Sequence, residues 1–173
     1  KDGWPSTTAE QIASFDPYDQ NHAAGWFDPE WMFGITDGFD IVIGNPPYIQ
    51  LQKEGGKLAK AYEKQGYKTF ERTGDIYSLF YEKGMQLLKS QGILTYITSN
   101  KWMRAGYGKS TRQFFLQYNP KKPIDLGSGI FESATVDTNI LLIQKAPNQN
   151  QLQAVDLSKS KNIEQLNHLH YHT

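Results

Sequence analysis

Four consecutive residues, Asn45-Pro46-Pro47-Tyr48, bring together groups that can act on a planar ligand. Asn45 offers a side-chain amide and Pro46 a backbone carbonyl. Neither proline has an N–H to donate, and both rings fix φ, so the acceptors are held stiffly. Tyr48 adds a flat aromatic face. Two converging acceptors above a stacking ring suit a planar ligand with an exocyclic amine. The lone pair of such an amine is delocalised, which makes it a poor nucleophile. Accepting both of its N–H bonds draws the nitrogen toward a tetrahedral form and frees the lone pair for in-line attack. No covalent enzyme intermediate is needed, in keeping with a chain that has no cysteine. That absence excludes cytosine-C5 methylation, which needs a thiolate nucleophile. It also excludes disulfides and thiolate zinc sites, and it fits a cytoplasmic setting.

The turn needs an element to carry it. "FDIVIG" before it reads as a short buried strand over 40–44, stopped by the prolines. "DIYSLFYEKGMQLLKS" (75–90) reads as a helix capped by Asp75, with Ile76, Leu79, Phe80, Gly84, Leu87 and Leu88 on one face. Gly92 would end it before a second strand, "ILTYIT" (93–98). A helix over 110–118 and two strands, "PIDLG" and "TNILLIQKA", follow. Alternating strands and helices predict an α/β fold with a mainly parallel sheet. Ligands of such sheets bind at the carboxyl ends of the strands, where residues 45–48 would lie. The chain divides into a loop-rich approach (1–39), a central half-domain (40–147), and a linker with the start of a following module (148–173).

Its 173 residues carry no net charge, but the charge is unevenly placed. Residues 1–40 hold eight acids and one lysine, net −7. Residues 53–72 carry +3, and residues 101–122 hold six bases and no acid. Basic stretches following each candidate site are the footprint a polyanion needs. The clustered aspartates near the N-terminus lack EF-hand spacing and read as turns and caps, so no metal is expected. No apolar run approaches the ~20 residues of a membrane span, and the first residues have no signal-peptide core. The chain lacks an initiator methionine, which predicts a piece of a longer protein.

"FDIVIGNPPY" resembles motif IV of the amino-group methyltransferases that use S-adenosylmethionine. "FDPYDQN…WFDPEWMFGI" before it, "GDIYSLFYEKGMQLLKSQGILTYITSNKWMRAGYGKSTRQFF" after it and "FESATVDTNILLI" extend the likeness. Residues 12–146 as a whole resemble the adenine-specific methylase region of type IIG restriction-modification enzymes. The resemblance implies a partial Rossmann-like methyltransferase fold holding the target-base half. It implies that Asn45, Pro46, Pro47 and Tyr48 grip the N6 amine of an adenine flipped out of double-stranded DNA. A flipped base is held on both faces. Tyr48 would be one wall, with Tyr107 as first and Trp102 as second choice for the other. Lys101, Arg104, Lys109 and Arg112 would meet flanking phosphates. Partners would be DNA and the remaining domains of the parent protein, in a bacterial or archaeal cytoplasm.

One part of the pattern is missing. The family's Gly-rich S-adenosylmethionine loop should precede motif IV, yet residues 1–39 hold no Gly-x-Gly after a strand. "IDLGSGIF" (124–131) mimics that loop downstream and would make the enzyme a permuted one. It lacks a third glycine, and a lone Gly-x-Gly is weak; a strand-to-turn element is expected there instead. No nuclease motif and no complete target-recognition domain stand in the chain. Two other readings compete with DNA adenine methylation. One is methylation of a protein glutamine or an RNA guanine amine, against which stand the basic insertion at 51–74 and "RAGYGK". The other is a non-catalytic DNA-binding fragment.

Overall fold

The computed structural model describes residues 6–16, 18–19, 24–131 and 136–159. The expected linker residues from 160 onward, and 132–135 of "ESATVD", lie outside them. The chain forms two units, Lys1–Asp37 and Gly38–Thr173.

The first unit carries α1 (Ser6–Ser14) and α2 (Pro29–Phe33). The start and stop of α2 follow from its sequence. The Asp28 carboxylate accepts from the Trp31 N–H at 3.0 Å, Pro29 opens the first turn, and Gly34 closes it at φ +67°. The Phe15 and Trp26 rings meet edge-on, with centroids 5.6 Å apart.

The second unit is built on a five-stranded sheet in the order β1-β2-β4-β3-β5. Its strands are β1 (Phe39–Gly44), β2 (Leu88–Ser99), β3 (Asn119–Gly127), β4 (Thr138–Gln144) and β5 (Val155–Asp156). β1 and β2 are parallel, as are β3 and β5, while β4 runs antiparallel to both of its neighbours. Four strands therefore point one way and β4 alone is reversed, so the sheet is mainly parallel as the sequence predicts. Pairing with β3 also places Val155–Asp156 in this sheet, beyond the boundary expected at 147.

Helices α3 (Lys53–Tyr62), α4 (Tyr77–Leu87), α5 (Lys101–Arg104) and α6 (Lys109–Phe115) connect the strands, with a 3-10 turn at Gly106–Gly108. Tyr77, Tyr81 and Met85, at i, i+4 and i+8 of α4, join Leu94, Tyr96, Phe114, Phe115, Leu141 and Ile143 in the main core. The buried face is thus rotated from the one expected. Phe80 and Leu87 are exposed, because aromatic volume at 77 and 81 faces the sheet instead. Gly84 makes this approach possible: a Cβ there would lie 2.4 Å from the Leu94 side chain. β2 begins at Leu88 rather than 93, recruited by pairing with Phe39 of β1. Val42 packs on the core, but Ile41 and Ile43 on the other face of β1 are 63% and 79% exposed. The strand read as buried is buried on one face only. The expected insertion at 51–74 folds with its own small core of Leu51, Ala59, Ile76 and Leu79.

Candidate nucleic-acid and amine site

β1 ends at Gly44, and the next four residues turn out of the sheet at the edge where β2 and β3 also end. Asn45 and Pro47 are exposed, Pro46 is buried and Tyr48 is half-buried. Burial of Pro46 pins the turn while leaving the Asn45 amide toward solvent. A cleft of about 280 Å³ opens beside it, lined by Ile43, Gly44, Asn45, Pro47, Phe80 and Tyr96. A larger apolar cavity of about 460 Å³ lies elsewhere, beneath α6, and includes none of residues 45–48. Its lining is mainly apolar, with Phe115, Leu116, Leu141 and Leu152 among its walls.

Tyr48 is held from three sides. Its hydroxyl lies 3.4 Å from the Ile97 carbonyl, toward which it donates. Its ring meets Tyr77 and Phe131, each 6.3 Å away between centroids and edge-on. Burial raises the pKa of its hydroxyl. Phe131 escaped the sequence reading altogether. It lies 83 positions from Tyr48 in a segment read as a cofactor-loop mimic, and only the β3–β4 pairing brings it here.

The segment after β2 behaves differently. Trp102 is buried, its indole N–H donates to the Asn139 side-chain oxygen at 3.2 Å, and its ring packs edge-on against Phe115 at 5.1 Å. It packs as a core residue, with its ring turned into the fold. Arg112 is likewise engaged. One guanidinium nitrogen donates to the carbonyls of Trp102 at 2.6 Å, Ala105 at 3.1 Å and Met103 at 3.4 Å, so it braces the turn. Lys101, Arg104 and Lys109 are exposed, and Arg104 lies 3.8 Å from the Asp125 carboxylate. Tyr107 is half-buried and donates its hydroxyl to Asp75 at 2.9 Å. Burial, then the Asp75 carboxylate, pushes its pKa up to about 12. Gly108 is demanded by space. A Cβ there would lie 2.0 Å from the Trp102 carbonyl oxygen, whereas Gly106 faces open space.

Asp75 was expected to cap α4. The helix instead starts at Tyr77 with Ile76 in the cap position and no side-chain cap. The Asp75 carboxylate is diverted to Tyr107.

The segment "DLGSG" does not make a cofactor loop. The Gly127 N–H is held by the Asp125 side chain at 3.1 Å. Ser158 closes over it so tightly that a Cβ on Gly127 would meet the Ser158 Cα at 2.9 Å. β3 then returns through antiparallel β4, where a dinucleotide-type loop leads into a helix N-terminus. The described residues therefore do not fit the principal S-adenosylmethionine site.

The Eco57I restriction-modification methylase family matches residues 5–131. The type II restriction enzyme and methyltransferase RM.Eco57I of Escherichia coli is 32% identical over 123 residues, covering 68% of this chain. That alignment spans 12% of the relative, so this chain corresponds to a small part of it. Among solved structures, a type I restriction-modification methyltransferase subunit from Streptococcus thermophilus shares the fold. Its TM-score is 0.58 at 18% identity, over 77% of this chain and 29% of that one. The ATP-dependent type ISP restriction-modification enzyme LlaBIII, bound to DNA, also scores 0.58 at 17% identity, covering 87% of this chain and 12% of that one. The α/β sheet is thus part of a Rossmann-like methyltransferase fold. With the family match covering most of its length, and with Asn45–Tyr48 at a strand's carboxyl end, the chain belongs to the Eco57I restriction-modification methylase family.

Proposed function

We propose that this chain is the target-base half of a site-specific DNA adenine-N6 methyltransferase within a longer restriction-modification enzyme. The observation that carries this reading is the Asn45–Tyr48 turn. Its amide is exposed beside a cleft, its first proline is buried, and its tyrosine ring is braced by two other aromatics. When bound by the rest of the enzyme, S-adenosylmethionine supplies the methyl group. The residues of this chain hold the acceptor. The Asn45 side-chain oxygen and the Pro46 carbonyl accept the two N–H bonds of the adenine amine and raise its nucleophilicity. Tyr48 forms one wall for the flipped base. Phe131, whose ring already meets that of Tyr48, is favoured over Tyr107 for the other, because the Tyr107 hydroxyl is tied to Asp75. A base between Tyr48 and Phe131 requires the two rings to turn toward parallel. Stacking returns ~1–3 kcal/mol per base, offsetting part of the cost of extrusion.

The exposed Lys101, Arg104 and Lys109 flank this edge and suit phosphates. The lysines at 53, 57, 60, 64 and 68 are also exposed, so the folded insertion presents a basic surface that supports DNA over a protein glutamine substrate. The test is methyl incorporation from labelled S-adenosylmethionine into unmethylated phage DNA by the full-length enzyme, followed by nucleoside analysis. N6-methyladenine is the expected product. Its absence, or methylated glutamine or guanine instead, overturns the reading. Calorimetry on the isolated chain is expected to show no binding of S-adenosylmethionine at micromolar concentrations.

A further inference from the structure

We propose that Asp75 is a positioning residue for the Asn45–Tyr48 turn, acting as a buckle between three separate segments through the hydroxyl of Tyr107. The proposal rests on the reading of that turn as the amine grip.

The backbone supplies the first connection. Gln50, two residues beyond Tyr48, forms an antiparallel bridge with Asp75. The Leu51 N–H donates to the Gly74 carbonyl and the Ile76 N–H to the Ile49 carbonyl, each at 2.9 Å. The exit of the turn is therefore stitched to residues 74–76. The side chains supply the second. Asp75 is 6% exposed, and its carboxylate accepts from the Tyr107 hydroxyl at 2.9 Å. Tyr107 belongs to the segment that follows β2, so one carboxylate ties that segment to the exit of the turn. The Tyr107 ring also lies over Gly74, its edge 3.7 Å from where a Cβ would stand. Tyr77 supplies the third. It is fully buried two residues after Asp75, and its ring abuts that of Tyr48.

Chemistry explains why this contact is firm. A buried carboxylate is costly unless it receives hydrogen bonds, and a hydroxyl donating to an ionised oxygen makes a strong one. Asp75 gives up helix capping to make this bond, although capping is the ordinary use of an aspartate just before a helix. A helix cap would stabilise α4 alone. The bond to Tyr107 instead restrains the ground on which Tyr48 sits.

The experiment uses the full-length enzyme with Asp75→Ala, Asp75→Asn, Tyr107→Phe and the Asp75→Ala/Tyr107→Phe double variant. Tyr107→Phe retains the ring and removes only the hydroxyl, which separates buckling from base stacking. Because small misplacements at a reacting centre can cost ~10²-fold, Asp75→Ala and Tyr107→Phe should each lower kcat about 10- to 100-fold. KM for unmethylated phage DNA should stay within about twofold, since phosphate contacts elsewhere carry binding. The double variant should be no worse than the worse single one. Asp75→Asn keeps an acceptor oxygen and should recover most of kcat. Wild-type kcat in Tyr107→Phe, or additive losses in the double variant, would overturn the proposal. Hydrogen exchange of the Leu51 and Ile76 amides is a readout independent of catalysis. Both should exchange faster in Asp75→Ala and in Tyr107→Phe, with β2 and β4 unchanged. If the wild-type enzyme methylates no adenine, the amine-grip reading fails, and this exchange pattern still decides whether the buckle exists. Unchanged exchange would refute it.

Discussion

Two turns leave neighbouring strands at the same edge of the sheet, and they spend their residues in opposite ways. After β1, Asn45-Pro46-Pro47-Tyr48 buries one proline ring and keeps its amide open. After β2, residues 100–112 consume their most conspicuous groups internally. The Trp102 indole goes to Asn139, the Arg112 guanidinium to the backbone of the turn, and the Tyr107 hydroxyl to Asp75. By residue type, the second turn looks the richer binding surface. Apart from the exposed Lys101, Arg104 and Lys109, the second turn has these groups occupied, whereas the first keeps its amide free to act on something outside the chain. A group already satisfied by its own fold contributes to a site through position, and an unsatisfied one through contact.

The largest effect belongs to the open turn. Asn45→Ala in the full-length enzyme should reduce methyl transfer by ~10²–10³, as loss of a transition-state hydrogen-bonding group does elsewhere. DNA affinity and melting temperature should barely move, and a near wild-type rate would remove Asn45 from the mechanism. For the internally packed or bonded residues of the second turn the expected losses are of stability. Gly108→Ala forces a methyl group into the Trp102 carbonyl and should cost about 3 kcal/mol or more by denaturant unfolding. Arg112→Ala frees three carbonyls and should cost about 2 kcal/mol. It should leave the salt dependence of DNA binding unchanged, whereas Lys101→Ala, Arg104→Ala and Lys109→Ala should each reduce that slope by about 1 without affecting melting. A changed slope for Arg112→Ala would return it to the phosphate-binding set.

The smallest effect is spectroscopic. Burial raises the hydroxyl pKa of Tyr77, Tyr81 and Tyr107, that of Tyr107 to about 12. A raised tyrosine pKa stabilises the fold while the unfolded chain keeps its phenols protonated. That contribution is complete below about pH 10, the ordinary tyrosine value, and is lost as pH rises toward 12. Ultraviolet titration should therefore show a late-ionising group of tyrosines. Tyr107→Phe should remove one of them, and an unchanged late group would mean that Tyr107 is solvated.

How legible the molecule was follows the same division. The stop of β1 before Asn45–Tyr48 could be read because its constraints are local: proline fixes the backbone whatever surrounds it. The alternation of strands and helices was legible from hydrophobic pattern, and so was a mainly parallel sheet, but the reversal of β4 was not. Asp75 was misread because a cap is the local use of an aspartate, whereas the partner that won it stands 32 positions away. The internal bonds of Trp102 and Arg112 were not legible because their residue types advertise binding, while Asn139 and a cluster of backbone carbonyls compete for them. The early start of β2 came from pairing with Phe39, which no window along the chain contains. Phe131 gave no signal except an aromatic at the end of a glycine-rich stretch.

The single reversed strand has an evolutionary consequence. Because β4 runs against β3, β3 ends and β4 begins at the edge that carries Asn45 and Tyr48. Had β4 been parallel, a crossover would have had to traverse the sheet. A hairpin connection can lengthen at little thermodynamic expense, with each doubling costing only ~0.6 kcal/mol in closure entropy. Insertions between β3 and β4 would then leave the sheet register intact while adding chain at that edge. Diversification of relatives that share this sheet has a low-cost place to happen, and comparing loop lengths at this point against the sequences they modify would show whether it was used.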